Sequence, residues 1–517
     1  MIKFLYQSKM NVNQHLKTFK KYIWILLISG VSISQAQKED YNWVLGYADH
    51  LVTDTLFGRT ILNFNNASLN ITKTTIGALS YLDYTNASIS DSSGKLLFYT
   101  NGISAFNRNH QIMPNGKYIC PGEVAEWNFD VGLAIEQAAI ILPWPEHSAQ
   151  YFIINKILQA QTIYLSDTLY YSTVNMKLRG GMGDVVDKHK ILLADTMSLS
   201  YMTACRHANG RDWWFLIAEY DSKIVHRYLL DPRGITHMGI QEVSYKIIDT
   251  PGQAAFSPDG NKFAIHYFTD FGYRELHLFD FDRCNGLLMN QRTFKLPYTT
   301  SAATGLAFAS SSKYLYLTLG DRVWQIDTDD NAPVQNKIEI IVSDHFGWPY
   351  EFFYDQMQLA PDGKIYFVSD NGANYINVIH DPDKKGLACK PEAHAHMITF
   401  NLSNPNFPHF RLGRAWNTIC DTLFTDINEP EVDFKYEDIY LYPNPAHSQI
   451  NIFIPDHLHH QDISYRIYDL QGKLVDHNNL KPSRDISITN LPKGIFYITV
   501  FCKNELILNE KLVIINE

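Results

Sequence analysis

The sequence predicts an all-β protein, a β-propeller followed by a small Ig-like β-sandwich. Three observations predict it. A hairpin pattern recurs about every fifty residues, the chain is rich in aromatic side chains, and the recurrence stops near Pro430, where a run of short strands begins.

The recurrence is clearest in QAAFSPDGNKFAIHYF (253–268), GLAFASSSKYLYLTLG (305–320) and QMQLAPDGKIYFVSDN (356–371). Each has an apolar run, a turn of Ser, Pro, Asp or Gly, and a second run of aromatic or β-branched residues, which reads as a β-hairpin. Looser copies stand at 88–102, 146–154 and 205–220. Taking the last turn residue as marker gives Gly94, Ser148, Gly210, Gly260, Ser312 and Gly363, separated by 54, 62, 50, 52 and 51 residues. Third strands follow at 223–231, 275–282, 323–329 and 376–383. A lone four-stranded sheet leaves both apolar faces wet, whereas packing sheets around an axis covers them. Six hairpins are visible, and residues 41–80, joined by the strand near His394 to Phe400, supply a further blade. Seven blades are expected, with six or eight as the alternatives.

Tyr 31, Phe 29 and Trp 9 suit pleated surfaces better than helix bundles. Lys+Arg 44 against Asp+Glu 54 gives a net charge of −10 with no long basic block, which argues against nucleic acid or an anionic membrane as partner. Lys17, Lys20 and Lys21 precede the apolar run 22–33, and Ser34-Gln35-Ala36 follows, so residues 1–36 are predicted to be a signal peptide. That run is short of the ~20 residues a spanning helix needs, and no second candidate for a transmembrane segment follows. The expected domains are a propeller over 37–425, a linker over 426–437 and a C-terminal domain over 438–517. The six cysteines (Cys120, Cys205, Cys284, Cys389, Cys420 and Cys502) form no CxxC pair. One or two loop disulfides of open pairing are expected.

In the last domain, strands are expected at 449–454, 463–469, 485–488, 495–502 and 505–515, with Ile450, Ile452 and Ile454 alternating at period two. Its motifs are YPNPA (442–446), NIFI (451–454), RIYDLQGKLV (466–475), ITNLPKGIFYITV (488–500) and EKLVIIN (510–516). In this order they resemble the type A sorting domain of type IX secretion substrates of Bacteroidetes-type bacteria. The residues that carry the resemblance are Tyr442, Pro443, Asn444, Pro445, Gly472, Lys473, Gly494, Tyr497 and Lys511. It implies passage through the periplasm to the cell surface or medium, with the type IX secretion machinery as partner. Most of residues 42–424 are similar to the N-terminal propellers of uncharacterised surface proteins that carry this domain, through GKLLFYTNG (94–102), GGMGDVVDKHKILL (180–193) and PNFPHFRLG (405–413). That likeness implies a fold and no activity.

Candidate chemistry is sparse. Gly180-Gly181-Met182-Gly183-Asp184 lacks the Lys-Ser/Thr of a phosphate loop and reads as a turn. His394 and His396 share a strand face, with His409 nearby, at a spacing unspecific for metal. His457, His459 and His460 read as solvated. Asp327, Asp329 and Asn331 mimic a calcium loop, but Ala332 replaces its Gly, leaving at most a looser structural calcium there or at Asp381 and Asp383. Glu123, Glu126, Asp130 and Glu136 lie in one insertion where glycosidase-like carboxylates would be sought. Trp127, Trp144 and Trp348 are candidates for sugar stacking. No catalytic, cofactor or metal residues are assigned. The expected function is a non-catalytic binding module for a protein or glycan. The alternative is a secreted carbohydrate-active enzyme, a lyase or hydrolase, with its site in the propeller funnel.

Overall fold

The computed structural model describes residues 37–47, 58–74, 82–157, 166–247, 252–269, 273–298, 304–345, 353–370, 372–416, 418, 420, 439–454, 462–469, 473–480, 483–503 and 505–515. The signal peptide and linker expected at 1–36 and 426–437 lie outside them, as do Trp348, His457, His459, His460 and Gly472. Two compact units divide at residues 422 and 423.

Seven antiparallel sheets make up the described part of the first unit. The first holds β1 (Asn42–Leu45), β2 (Arg59–Asn63) and β3 (Asn70–Thr74), and the second β4 (Ala87–Ser90), β5 (Leu96–Thr100) and β6 (Ala105–Asn107). After the short helix α1 (Glu123–Trp127) comes the third, of β7 (Ala139–Pro143), β8 (Gln150–Lys156), β9 (Ser166–Asn175) and β10 (Asp184–Met197). The fourth has β11 (Ala204–Arg206), β12 (Trp213–Ala218), β13 (Ser222–Asp231) and β14 (Gly234–Ile247). The fifth has β15 (Gly252–Phe256), β16 (Lys262–Phe268), β17 (Arg274–Asp282) and β18 (Leu287–Leu296). The sixth has β19 (Leu306–Phe308), β20 (Tyr314–Thr318), β21 (Arg322–Asp327) and β22 (Ile338–Val342). The seventh has β23 (Tyr354–Leu359), β24 (Ile365–Ser369), β25 (Ala373–Ile379) and β26 (Pro391–Asn401).

Each marker read from the sequence sits in the first hairpin of a sheet. The Ser-Pro-Asp-Gly turn shows why: Gly260, at φ 72°, closes on the Ser257 carbonyl at 2.8 Å, while Asp259 accepts from the Ser257 hydroxyl and the Asn261 amide. Second strands such as β12, WWFLIA, are buried at every position because a neighbouring sheet covers each face.

The first strands of sheets two to seven line the axis. Gln137, just before the third sheet, bonds Ala254 of the fifth, and Gln253 of the fifth bonds Met357 of the seventh as well as Leu306 of the adjacent sixth; the contacts that skip a sheet are ones that only an axis permits. The ring closes where Tyr47 donates to the Phe400 carbonyl at 2.8 Å and Thr60 meets Thr399 at 2.9 Å. Here the structure corrects an expectation. His394 to Phe400 belongs to β26 of the seventh sheet, and the segment that completes the first blade is the next one, 402–410. Asn404 bonds Gln356 and Tyr366 on one side, and the Asn406 amide bonds the Asn86 carbonyl on the other. This irregular segment therefore holds the innermost place of blade one. Its far end is pinned by Arg411 to Asp40 and, past Gly413, by the disulfide Cys284–Cys420 at a Cα separation of 5.6 Å. The cavity left beside it on the axis is about 20 Å³, room for one water.

The second unit is a sandwich of β27 (Tyr440–Tyr442), β28 (Gln449–Phe453) and β31 (Asp485–Ser487) against β30 (Leu474–Asn479), β29 (Ile463–Tyr468), β32 (Gly494–Cys502) and β33 (Glu505–Ile514). Ile450, Ile452, Ile467, Ile498 and Leu512 fill its core. Among the described residues no helix is long and apolar enough to cross a membrane.

Candidate functional site

The inner strands of blades two to seven all begin at one end of the axis, and carboxyl groups gather at that mouth. Glu136 precedes β7, Asp355 lies at the start of β23, Asp370 lies between β24 and β25, and Asp83 and Tyr84 precede β4. Arg274, at the start of β17, is the cation facing them. Tyr84 donates to the Asp370 carbonyl at 2.6 Å, and the Thr304 amide donates to Asp355 Oδ1 at 3.0 Å. Among the described residues, Asp355 Oδ2 and Glu136 Oε2 are buried without a hydrogen-bond partner, on residues only 1% and 7% exposed.

Buried, partly unsatisfied carboxylates resist ionisation. Burial first, and then the Asp370 charge, raises Asp355 to about 7. Burial and the Asp355 charge push Glu136 well above the carboxylate range. Burial raises Asp83 to about 6 and lowers Arg274 to about 10. Both carboxyls therefore hold their protons to higher pH than exposed carboxyls do. A positively charged donor would favour their ionised forms and supply hydrogen bonds that they lack. A preformed metal cage is a poorer fit, since Glu136, Asp355 and Asp370 do not all bring oxygens within 4.8 Å of one another.

Of the four acidic residues in the insertion before β7, the structure brings Glu136 alone to the mouth, while Glu123 and Glu126 lie on the exposed face of α1. Asp355, Asp370 and Arg274 escaped sequence reasoning because each stands alone in its own repeat. Only their common place at the mouth end of their blades could have grouped them. Trp127 is 70% exposed, whereas Trp144 packs on Phe152 and His147, so the two form no platform. His394 pairs with Asp344 at 3.3 Å and His409 bonds the Phe256 carbonyl on the axis, so these histidines serve different parts of the ring. Asp329 pairs with Lys262 and Asp381 with Lys390, and Asp383 accepts from the Ser311 amide, which leaves lysines and an amide where calcium was considered. Gly181 offers its carbonyl to Arg108, as an ordinary turn does.

In the second unit the resemblance residues converge on the last strand. The Asn444 carboxamide accepts from the Val513 amide at 2.9 Å and donates to the Lys511 carbonyl, and Ala446 and Ile515 extend the contact through the backbone. Tyr497 stands opposite Lys511 on β33 and Tyr468 on β29. Lys473 closes a turn on Asp469, and Gly494 opens β32. Residues 440–515 match the family described as secretion system C-terminal sorting domain. The second unit is a type IX sorting domain. A protein carrying it is exported to the cell surface or the medium, and the sorting domain is its address to the type IX machinery.

No curated protein matches the chain. Similar solved structures include a protein from Lactobacillus plantarum, 10% identical over 71% of this chain and 98% of that one, with a TM-score of 0.43. A candidate 6-phosphogluconolactonase from Bacteroides uniformis is 10% identical over 70% and 99%, with a TM-score of 0.41. The extracellular domain of a hybrid two-component system from B. thetaiotaomicron is 11% identical over 92% of this chain and 56% of that one, with a TM-score of 0.37.

Proposed function

We propose that the exported propeller is a non-catalytic recognition module that binds an ammonium-bearing group of a glycan or protein at the mouth of its axis. The observation that carries this reading is the pair of buried carboxyl oxygens, on Glu136 and Asp355, that no donor among the described residues reaches. An ammonium ion offers three donors and a positive charge, which would satisfy both and displace the retained proton. The narrow axis behind them cannot admit a sugar ring, so the ligand would present its charged group at the mouth. Calorimetry of the mature protein with a glucosamine hexamer and its N-acetylated counterpart, and with a lysine peptide and its acetyl-lysine form, tests this. Binding is expected for a free amine in either pair, to be lost on acetylation and in Glu136→Gln and Asp355→Asn. Equal binding of amine and acetylated forms would overturn it.

A second reading has one specific observation in its favour. A carboxyl raised to about 7, interacting with one pushed well above its ordinary value, resembles the acid and base pairs that hydrolytic or eliminative chemistry uses. Under that reading a panel of polysaccharides would show turnover that Glu136→Gln abolishes.

A further inference from the structure

Away from the axis, blades three and four meet through their strand ends. Ser198 donates to the Ala218 carbonyl at 3.0 Å, Tyr220 donates to the Thr196 carbonyl at 3.1 Å, and Met197 bridges Glu219. This junction brings together Asp195 of β10, Glu219 just beyond β12, and His226 of β13, whose candidate ligand atoms all lie within 4.8 Å of one another. His226 Nε2 is 3.1 Å from Glu219 Oε1.

One polar atom of each of the three is held by a partner outside the trio. His226 Nδ1 lies 3.2 Å from Nε2 of His237 on the neighbouring strand β14, so a proton on Nδ1 would leave Nε2 its lone pair. Glu219 Oε2 accepts from the Ser222 hydroxyl at 3.0 Å, and Asp195 Oδ1 accepts from the Thr196 amide at 2.7 Å. Each residue thus has one polar atom oriented by a separate partner and another that lies within 4.8 Å of the other two residues' candidate ligand atoms. An ion pair between His226 and Glu219 would need neither Asp195 nor His237.

We propose that Asp195, Glu219 and His226 form a site for a borderline divalent transition metal of the zinc type, which ties blade three to blade four and keeps one coordination position open. One imidazole and two carboxylates suit zinc, which takes three protein ligands and an exchangeable fourth at sites that are not purely structural. Calcium prefers six or more oxygens, so an imidazole in a set of three argues against it. In a tetrahedral zinc site the ligand atoms lie about 3.3 Å apart, at bond lengths of ~2.0–2.1 Å. The His226–Glu219 separation already fits, and the exposed Asp195 needs to turn inward.

The test uses the mature full chain, stripped with a chelator and titrated with zinc chloride, and with cobalt(II) chloride for its visible spectrum. One saturable site is expected, with tetrahedral cobalt bands, a raised unfolding midpoint and at least a tenfold loss of zinc affinity in Glu219→Gln or His226→Ala. His237→Gln should weaken binding less, since its amide nitrogen and oxygen can still bond His226. Circular dichroism of the metal-free variants checks that they fold, and Asp195→Asn, on an exposed side chain, covers the case in which His226→Ala does not. Unchanged zinc affinity in both Glu219→Gln and Asp195→Asn, octahedral cobalt bands, or stronger binding of calcium than of zinc would overturn the assignment.

Discussion

Arg411 and Asp40, 371 positions apart, form a two-bonded ion pair at 2.6 and 2.8 Å. It joins the start of blade one to the segment that completes that blade. Burial raises Asp40 even against the pull of Arg411, so the carboxylate depends on its partner. Arg411→Ala is expected to destabilise the propeller by about 2 kcal/mol, the modest figure reflecting water that reaches an arginine side chain 40% exposed. Adding Asp40→Asn should recover part of the loss because no charge then stays buried. Urea unfolding of the four members of the cycle measures it, and additive losses would count against a clasp.

The carboxyl at the mouth should make stability depend on pH. Asp355 has its folded pKa raised from 3.8 to about 7, so between those values the folded chain holds a proton that the unfolded chain has released. Its stabilising effect is complete below about pH 4 and is lost as pH rises through 7. The buried neutral His409 and His266 act in the opposite sense, costing stability as pH falls below 6.5, because burial lowers them to about 4 and about 3. From pH 6 to pH 8 the two effects oppose each other at similar size, so the carboxyl effect is read from a comparison of variants. Over that range the wild type should lose about 1 kcal/mol relative to Asp355→Asn, as read from unfolding midpoints at the two pH values.

The repeat was legible because turns need particular residues. Gly260 and Gly363 sit at positive φ where a side chain strains the backbone, and the alternating strands around them are forced by burial on two faces. Segment 402–410 was not legible as an inner strand, since Pro405 and Pro408 break the pattern and its place is held by side chains such as Asn406, which donates to the Ala139 and Met202 carbonyls. β30 was missed for a different reason. LVDHNN lies at the edge of its sheet, mostly exposed, and carries no period-two signal. The mouth cluster was the least legible, because its members come from repeats far apart in sequence and only ring closure brings them together.

Asn444 explains why an asparagine stands in the YPNPA motif: its carboxamide offers one acceptor and one donor to consecutive backbone groups of β33. Asn444→Ala removes both bonds on an exposed edge, a loss of about 1 kcal/mol. The Val513 amide should then exchange with solvent about fivefold faster in hydrogen-exchange measurements, while core amides of β29 keep their rates. Asn444→Asp keeps the acceptor alone and should fall between.

Deleting residues 436–517 should leave the propeller folded and stranded in the periplasm. The two units have separate cores, that of the sorting domain being closed by Ile450, Ile467 and Leu512 without help from the ring, so loss of one does not expose the other. Export should fail because the motifs that address the chain to the type IX machinery are gone. The reverse transfer tests sufficiency. Residues 430–517 fused to a periplasmic reporter, in a host with this secretion system, should carry the reporter to the surface or the medium. The Asn444→Ala fusion, with its first turn no longer fastened to β33, should do so less well. Surface delivery of the truncated chain, or a wild-type fusion that stays in the periplasm while the intact protein leaves, would show that the address requires more than this domain.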